Sequence, residues 1–154
     1  VSKFVEEYRK LGYHVQYISL DKKMDIYWMK FFKEKNEDYI QWDSDMMTFD
    51  NFYKKLSGFE LVITARFHGA IFASMMGIPF ITIEVEQKLR MVAENYKGGA
   101  YVWENNFDLS HLQNHITAIE SNYEEHKNVI QKNSSVFKNL VTQQYNDLLK
   151  KVCQ

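Results

Sequence analysis

The chain contains little cysteine, proline or glycine. It has one Cys, one Pro and six Gly among 154 residues. Cys153 has no partner in the chain, so an intrachain disulfide is excluded, which fits a reducing compartment. We therefore expect a protein of the cytoplasm or of the inner face of the membrane. So few Pro and Gly leave no room for a flexible linker, and the length predicts one domain over residues 1–154.

An excess of charge and a long apolar run are also missing. Nineteen Lys and Arg against twenty Asp and Glu give a net charge of -1, which disfavours nucleic acid or an anionic membrane as the main partner. The longest apolar run, residues 70–83, is interrupted by polar residues and is too short to span a bilayer. We expect it to form buried core, with no transmembrane segment. No cluster of metal ligands is visible, so no metal site is predicted.

Helical and strand patterns alternate along the first two thirds of the chain. The predicted strands cover residues 14–20, 39–42, 60–64, 80–85 and 100–103, and each follows a segment with helical spacing. Asp21 is the expected N-cap of the second helix. From about residue 109 onwards only helical spacing remains. This pattern predicts an α/β fold, a Rossmann-like parallel sheet of about five strands flanked by helices, with extra C-terminal helices and strand 60–64 at its centre.

The most informative segment is LVITARFHGA, residues 61–70. A buried strand ends and a helix begins there, so the free N–H groups of the first helical turn form a potential anion site. Arg66 adds donors that suit a carboxylate or phosphate, and His68 adds a group that exchanges a proton near neutral pH. Residues two apart share a side only in extended chain. If both face one ligand, the chain is extended through Arg66 and the helix begins near Phe67 or His68.

A purely structural interpretation of these residues stays open. Arg66 could pair with an acid such as Glu84, and His68 could hydrogen-bond a carbonyl group. Glu84, Glu86 and Lys88 follow the next strand, whose end should lie beside the first. In the structural interpretation these three residues form a solvated rim. In the functional interpretation Lys88 supplies a second cation for the anion bound at Arg66.

Three motifs together resemble the C-terminal half of the polysaccharide pyruvyl transferase family. They are ITARFHGAIFA at residues 63–73, GIPFI at 77–81 and the downstream Lys88. The family pattern is a strand, then Arg, an aromatic residue or Leu, and His, then a helix of small residues, Gly-x-Pro, a second strand and a Lys. The close match covers about residues 61–88.

The resemblance implies both a fold and a reaction. The fold would be two-lobed and similar to B-type glycosyltransferases, with this chain as the C-terminal lobe and inactive alone. The enzyme would transfer the pyruvyl group of phosphoenolpyruvate to a hydroxyl of a sugar or lipid-linked glycan, forming a ketal without a cofactor. By position, His68 would be the catalytic acid and Arg66 would hold the donor's anionic groups. The remaining donor-binding residues would be Lys88, Thr64, Ala65, Phe67 and Glu84.

Two other functions are compatible with parts of the sequence. Residues 73–80 also resemble the Gly-x-Pro region of nucleotide-sugar glycosyltransferases, although the paired glutamates of that superfamily would fall at Thr64 and Phe72. A non-catalytic domain could instead keep the fold and bind a sugar or phosphate without turnover. A turnover assay distinguishes this non-catalytic domain from both kinds of transferase.

Overall fold

A computed structural model describes residues 2–152 as an α/β protein with parallel strands. Cys153 lies outside the described residues. The predicted α/β class, the five strands and the extra C-terminal helices are confirmed. The strands are β1 (Tyr17–Ser19), β2 (Tyr39–Gln41), β3 (Val62–Thr64), β4 (Phe80–Ile83) and β5 (Ala100–Trp103). The helices are α1 (Ser2–Lys10), α2 (Ile26–Glu34), α3 (Phe49–Leu56), α4 (Phe67–Met76), α5 (Gln87–Asn95), α6 (Leu109–Ser121) and α7 (Tyr123–Val152).

The chain forms two compact units that divide between Phe52 and Tyr53. In the first unit, β1 and β2 pair in parallel, with α2 between them in sequence. The ring of Phe32 on α2 is buried and stacks on Tyr17 of β1, with 4.3 Å between the ring centroids. This aromatic contact holds the helix against its small sheet.

Helix α2 begins later than the sequence predicts, at Ile26. The expected cap, Asp21, instead accepts hydrogen bonds from the backbone N–H groups of the next turn, at 2.9 Å and 3.0 Å. Asp25 directly precedes the helix, and one of its carboxylate oxygens accepts from the Leu20 and Asp21 N–H groups and the Ser19 hydroxyl. The prediction of Asp21 as the N-cap is therefore wrong, because this residue closes the preceding turn.

The second unit contains a parallel sheet in the order β3-β4-β5. The described strands thus divide between two sheets, and β4 rather than the predicted strand 60–64 is the central strand of this one. Phe80, Ile81 and Thr82 of β4 are fully buried, whereas Ile63 of β3 is 36% exposed. A strand that is apolar and covered on both faces suits the centre of a parallel sheet.

The chain reverses tightly within residues 70–83, most of which form buried core as predicted, although Met75 is 56% exposed. Ala70 and Phe80 are inaccessible to solvent and share one hydrophobic cluster. Gly77 ends α4 in the left-handed conformation, with φ of 71°, and its N–H donates to the Ser74 carbonyl at 3.1 Å. Glycine adopts this conformation without the steric cost of a side chain. The reversal leads α4 directly into β4.

The first part of α7 packs closely on the rest of the second unit. A Cβ atom at Gly99 would lie 2.8 Å from the Ile130 side chain and 2.9 Å from the His126 carbonyl oxygen. The Ser134 hydroxyl donates to the Ser74 carbonyl at 2.7 Å. Within residues 2–152, no helix combines the length and the apolar character that crossing a membrane requires.

Candidate functional site

The turn between β3 and α4 carries the candidate site. Strand β3 ends at Thr64 and α4 begins at Phe67. Arg66 is the N-cap of α4 and has extended backbone, with φ of -117° and ψ of 131°. The predicted change from extended chain to helix at this point is confirmed. It follows from the apolar β-branched run of β3 meeting the small, helix-forming residues of α4.

The hydroxyl group of Thr64 holds Arg66 in place. Thr64 Oγ1 accepts a hydrogen bond from the Arg66 N–H at 3.0 Å and donates one to the Arg66 carbonyl at 3.1 Å. The same carbonyl accepts from the Gly69 and Ala70 N–H groups, which starts the helix. Thr64 is only 9% exposed, so water competes little for these bonds. The predicted site residue Thr64 thus acts on the backbone that presents Arg66.

The first turn of α4 has no side-chain cap. Arg66 occupies the N-cap position, and among the described residues no side chain accepts from the first-turn N–H groups there. Arginine has no hydrogen-bond acceptor in its side chain, so it cannot cap a helix as Ser or Asp does. Ala65, Arg66 and Phe67 are all partly buried around this turn. The Phe67 and His68 N–H groups, together with the positive end of the helix dipole, suit an anion.

The imidazole of His68 is exposed on this first turn. Its ring centroid lies 6.0 Å from that of Phe67 and 6.4 Å from that of Phe72. Within residues 2–152, no hydrogen bond holds the imidazole, so the alternative in which a carbonyl group fixes His68 is not what the structure shows.

Glu84 lies at the carboxyl end of β4, the strand next to β3. Both of its carboxylate oxygens accept hydrogen bonds from Arg90, the Arg90 Nη2 bond measuring 2.7 Å. Arg90 Nη2 also donates to Glu104, just after β5, at 3.3 Å. The Arg90 guanidinium holds the pKa of Glu84 below its ordinary value, and the two acids raise the pKa of Arg90. Glu84 therefore remains a charged carboxylate that is engaged with Arg90.

Lys88 extends from the start of α5 and pairs with Glu86 at 2.7 Å. Both side chains are about half exposed, at 56% for Lys88 and 52% for Glu86. Exposed pairs of this kind contribute little to stability. Glu86 therefore holds the ammonium group only weakly.

The structure brings the predicted residues together in two groups. Thr64, Ala65, Arg66, Phe67 and His68 form one continuous turn, and Glu84 and Lys88 follow the adjacent parallel strand. The sequence analysis did not single out Arg90, which organises the acids at this edge of the sheet. No helical spacing indicates its partners, because Glu84 lies six residues before it, ahead of α5, and Glu104 lies fourteen residues after it.

The described residues contain no group of three or more His, Cys, Asp or Glu side chains that could hold a metal ion. The candidate site consists of hydrogen-bond donors and the exposed His68 imidazole at a partly buried turn.

Comparison with known proteins adds one match to this geometry. The family model of the polysaccharide pyruvyl transferases matches residues 2–87, which is more than half of the chain and includes the whole β3–α4 turn. No curated protein and no solved structure matches the chain. The family is one of transferases that act on polysaccharides. The extent of the match shows that this chain belongs to the polysaccharide pyruvyl transferase family.

Proposed function

We propose that the β3–α4 turn binds phosphoenolpyruvate and that its pyruvyl group passes to a sugar hydroxyl of a glycan. The observation that carries the proposal is the geometry of the turn: an extended Arg66, held by Thr64, precedes an uncapped helix and an exposed His68. Phosphoenolpyruvate offers a phosphate and a carboxylate to such donors. Membership of the family supports the reaction class.

Donor binding uses the positive groups of the turn. The Phe67 and His68 N–H groups of α4 donate to one anionic group of phosphoenolpyruvate, and the Arg66 guanidinium binds the other as a planar pair of donors. Lys88 leaves its exposed partner Glu86 and approaches from the adjacent strand end. Glu84 stays with Arg90, and this pairing offsets its negative charge near the bound donor.

His68 supplies the proton that activates the donor. Its N–H transfers a proton to the methylene carbon of phosphoenolpyruvate, which becomes a methyl group and leaves an oxocarbenium-like centre at the neighbouring carbon. A sugar hydroxyl oxygen bonds to that carbon and loses its proton. The carbon–oxygen bond to phosphate then breaks, phosphate leaves, and a second hydroxyl of the sugar closes the ketal with loss of its proton. Fixed positive charge at Arg66 stabilises the negative charge on the departing phosphate.

A turnover experiment tests the role of His68. The family resemblance implies a second lobe that excludes water, so turnover is measured on the two-lobed protein and donor binding on this chain. His68→Gln should retain phosphoenolpyruvate affinity while turnover falls about a hundredfold or more. His14→Gln, a change of an exposed histidine in the first unit, is the matched control. In D₂O, the wild-type product should carry one deuterium in its ketal methyl group.

Two results would contradict the proposal. Near-normal turnover by His68→Gln would remove His68 from the chemistry. Donor binding without phosphate release or ketal formation by the wild-type two-lobed protein would favour a non-catalytic binding domain instead.

A further inference from the structure

An open cleft of about 320 Å³ lies in the second unit, between the carboxyl end of β5 and α6. Its lining residues are Val102, Glu104, His111, Asn114 and His115. The volume is at the lower end of the range of small-molecule sites, which is about 300 to 1,000 Å³. None of these residues belongs to the β3–α4 turn, so the cleft is a separate feature of the molecule.

His115 presents a hydrogen-bond acceptor to this cleft. Its Nε2 lies 3.1 Å from the Val102 carbonyl oxygen. A carbonyl only accepts, so Nε2 carries the hydrogen and Nδ1 keeps a lone pair. Burial lowers the pKa of His115, which favours this neutral form. The ring also stacks on Tyr101 at 4.6 Å, which fixes its orientation.

The lone pair of His115 Nδ1 is open to a ligand. Among the described residues, no side-chain nitrogen or oxygen is buried without a hydrogen-bond partner. His115 is partly buried, and its only hydrogen bond to a residue within 2–152 uses Nε2. Nδ1 must therefore be accessible to solvent, and the cleft is the space that His115 lines.

The other lining groups suit an uncharged, hydroxylated ligand. Asn114 is exposed and can both donate and accept hydrogen bonds, and Glu104 supplies carboxylate oxygens that are shared with Arg90. The Glu104 carboxylate disfavours a multiply charged anion such as phosphoenolpyruvate, and the unprotonated Nδ1 of His115 offers such an anion no hydrogen bond. Sugar hydroxyls, by contrast, can donate to Nδ1 and Glu104 and exchange hydrogen bonds in both directions with Asn114. The polarity of this cleft is thus opposite to that of the Arg66 turn.

We infer that this cleft binds a sugar residue of the glycan acceptor through its hydroxyl groups. The inference rests on the proposed function and names part of its acceptor site. Strands β3, β4 and β5 are parallel neighbours, so their carboxyl ends share one edge of the sheet. Adjacent strands are about 4.8 Å apart, which separates the ends of β3 and β5 by about 10 Å. An acceptor of more than one sugar residue can span that distance.

A titration of the ¹⁵N-labelled chain tests the inference. The probes are the methyl glycosides of glucose, galactose, mannose and N-acetylglucosamine. At least one should shift the Asn114 side-chain amide and the His115 resonances in a saturable way. Asn114→Ala and His115→Gln should each weaken that binding about five- to tenfold, the loss expected for a hydrogen bond. Gln113→Ala changes an exposed residue of α6 outside the cleft and should leave the affinity unchanged.

Several results would separate this inference from the proposed function. No saturable shift with any glycoside, or equal affinity for Asn114→Ala and Gln113→Ala, would overturn the inference even if phosphoenolpyruvate binds at Arg66. Shifts caused by zinc chloride and by none of the glycosides would make the cleft a metal site and would also overturn it. Sugar binding in the cleft without phosphoenolpyruvate binding at Arg66 would support the sugar site and overturn only the proposed function.

Discussion

Replacing Thr64 by Val should lower both the stability of the chain and its affinity for phosphoenolpyruvate, although the shape of the side chain barely changes. Valine has nearly the same volume but lacks the hydroxyl group that holds the backbone of Arg66 on both sides, at 3.0 Å and 3.1 Å. A typical intramolecular hydrogen bond contributes about 0.5 to 1.5 kcal/mol net. Thr64 is almost fully buried, so water cannot readily replace the hydroxyl at the Arg66 N–H.

The expected cost is about 1 to 2 kcal/mol in the free energy of unfolding, after the added methyl group offsets part of the loss. For a chain of this size that corresponds to a fall in Tm of about 2 to 8 °C. Affinity for phosphoenolpyruvate should also fall, by about fivefold, because the position of Arg66 is less restricted. Urea denaturation followed by circular dichroism gives the first quantity, and titration calorimetry gives the second.

Thr82→Val is the matched control. Thr82 stands opposite Thr64 in the register of β3 and β4 and is fully buried. Its hydroxyl makes one long bond, to the Tyr101 carbonyl at 3.5 Å. This substitution should change the unfolding free energy by less than about 0.5 kcal/mol. Equal effects of the two substitutions, or unchanged donor affinity in Thr64→Val, would refute the role given to the Thr64 hydroxyl.

Two further predictions concern packing and pH. Gly99→Ala should lower the free energy of unfolding by about 1 to 3 kcal/mol, because its Cβ would meet the Ile130 side chain at 2.8 Å. Gly58→Ala is the control and should not destabilise the chain, because the nearest atom to its Cβ would be 3.9 Å away. Equal urea midpoints for the two variants would contradict this prediction. Burial lowers the pKa of His115 from 6.5, so its contribution to stability is present above pH 6.5 and is lost as the pH falls toward the lowered pKa. An NMR titration midpoint of His115 at or above 6.5 would contradict that assignment.

The β3–α4 turn could be predicted because two local signals agree there. The apolar β-branched run ends at Thr64, and a helix that contains several small residues begins at Phe67, so neighbouring residues indicate the boundary. The αL end of α4 at Gly77 was predictable for the same reason. Both features depend on residues that are neighbours in the sequence, so the sequence alone indicates them.

The remaining features depend on packing between distant segments. Asp21 and Asp25 are both chemically suitable caps, and only the folded turn decides which one precedes the helix. The central position of β4 reflects cover on both of its faces, which a single strand's pattern does not reveal. Arg90 follows two acids in the sequence, Glu84 and Glu86, and only the folded structure shows that its partners are Glu84 and the more distant Glu104.

The most direct test of the account is the affinity of this chain for phosphoenolpyruvate, measured by titration calorimetry for the wild type, Arg66→Ala and Arg9→Ala. Arg9 is the matched control, since it pairs with Glu37 in the first unit and its loss changes the net charge equally. We expect saturable binding by the wild type and by Arg9→Ala, and binding weakened about tenfold or more in Arg66→Ala. Affinity that is the same in Arg66→Ala as in the wild type would contradict it.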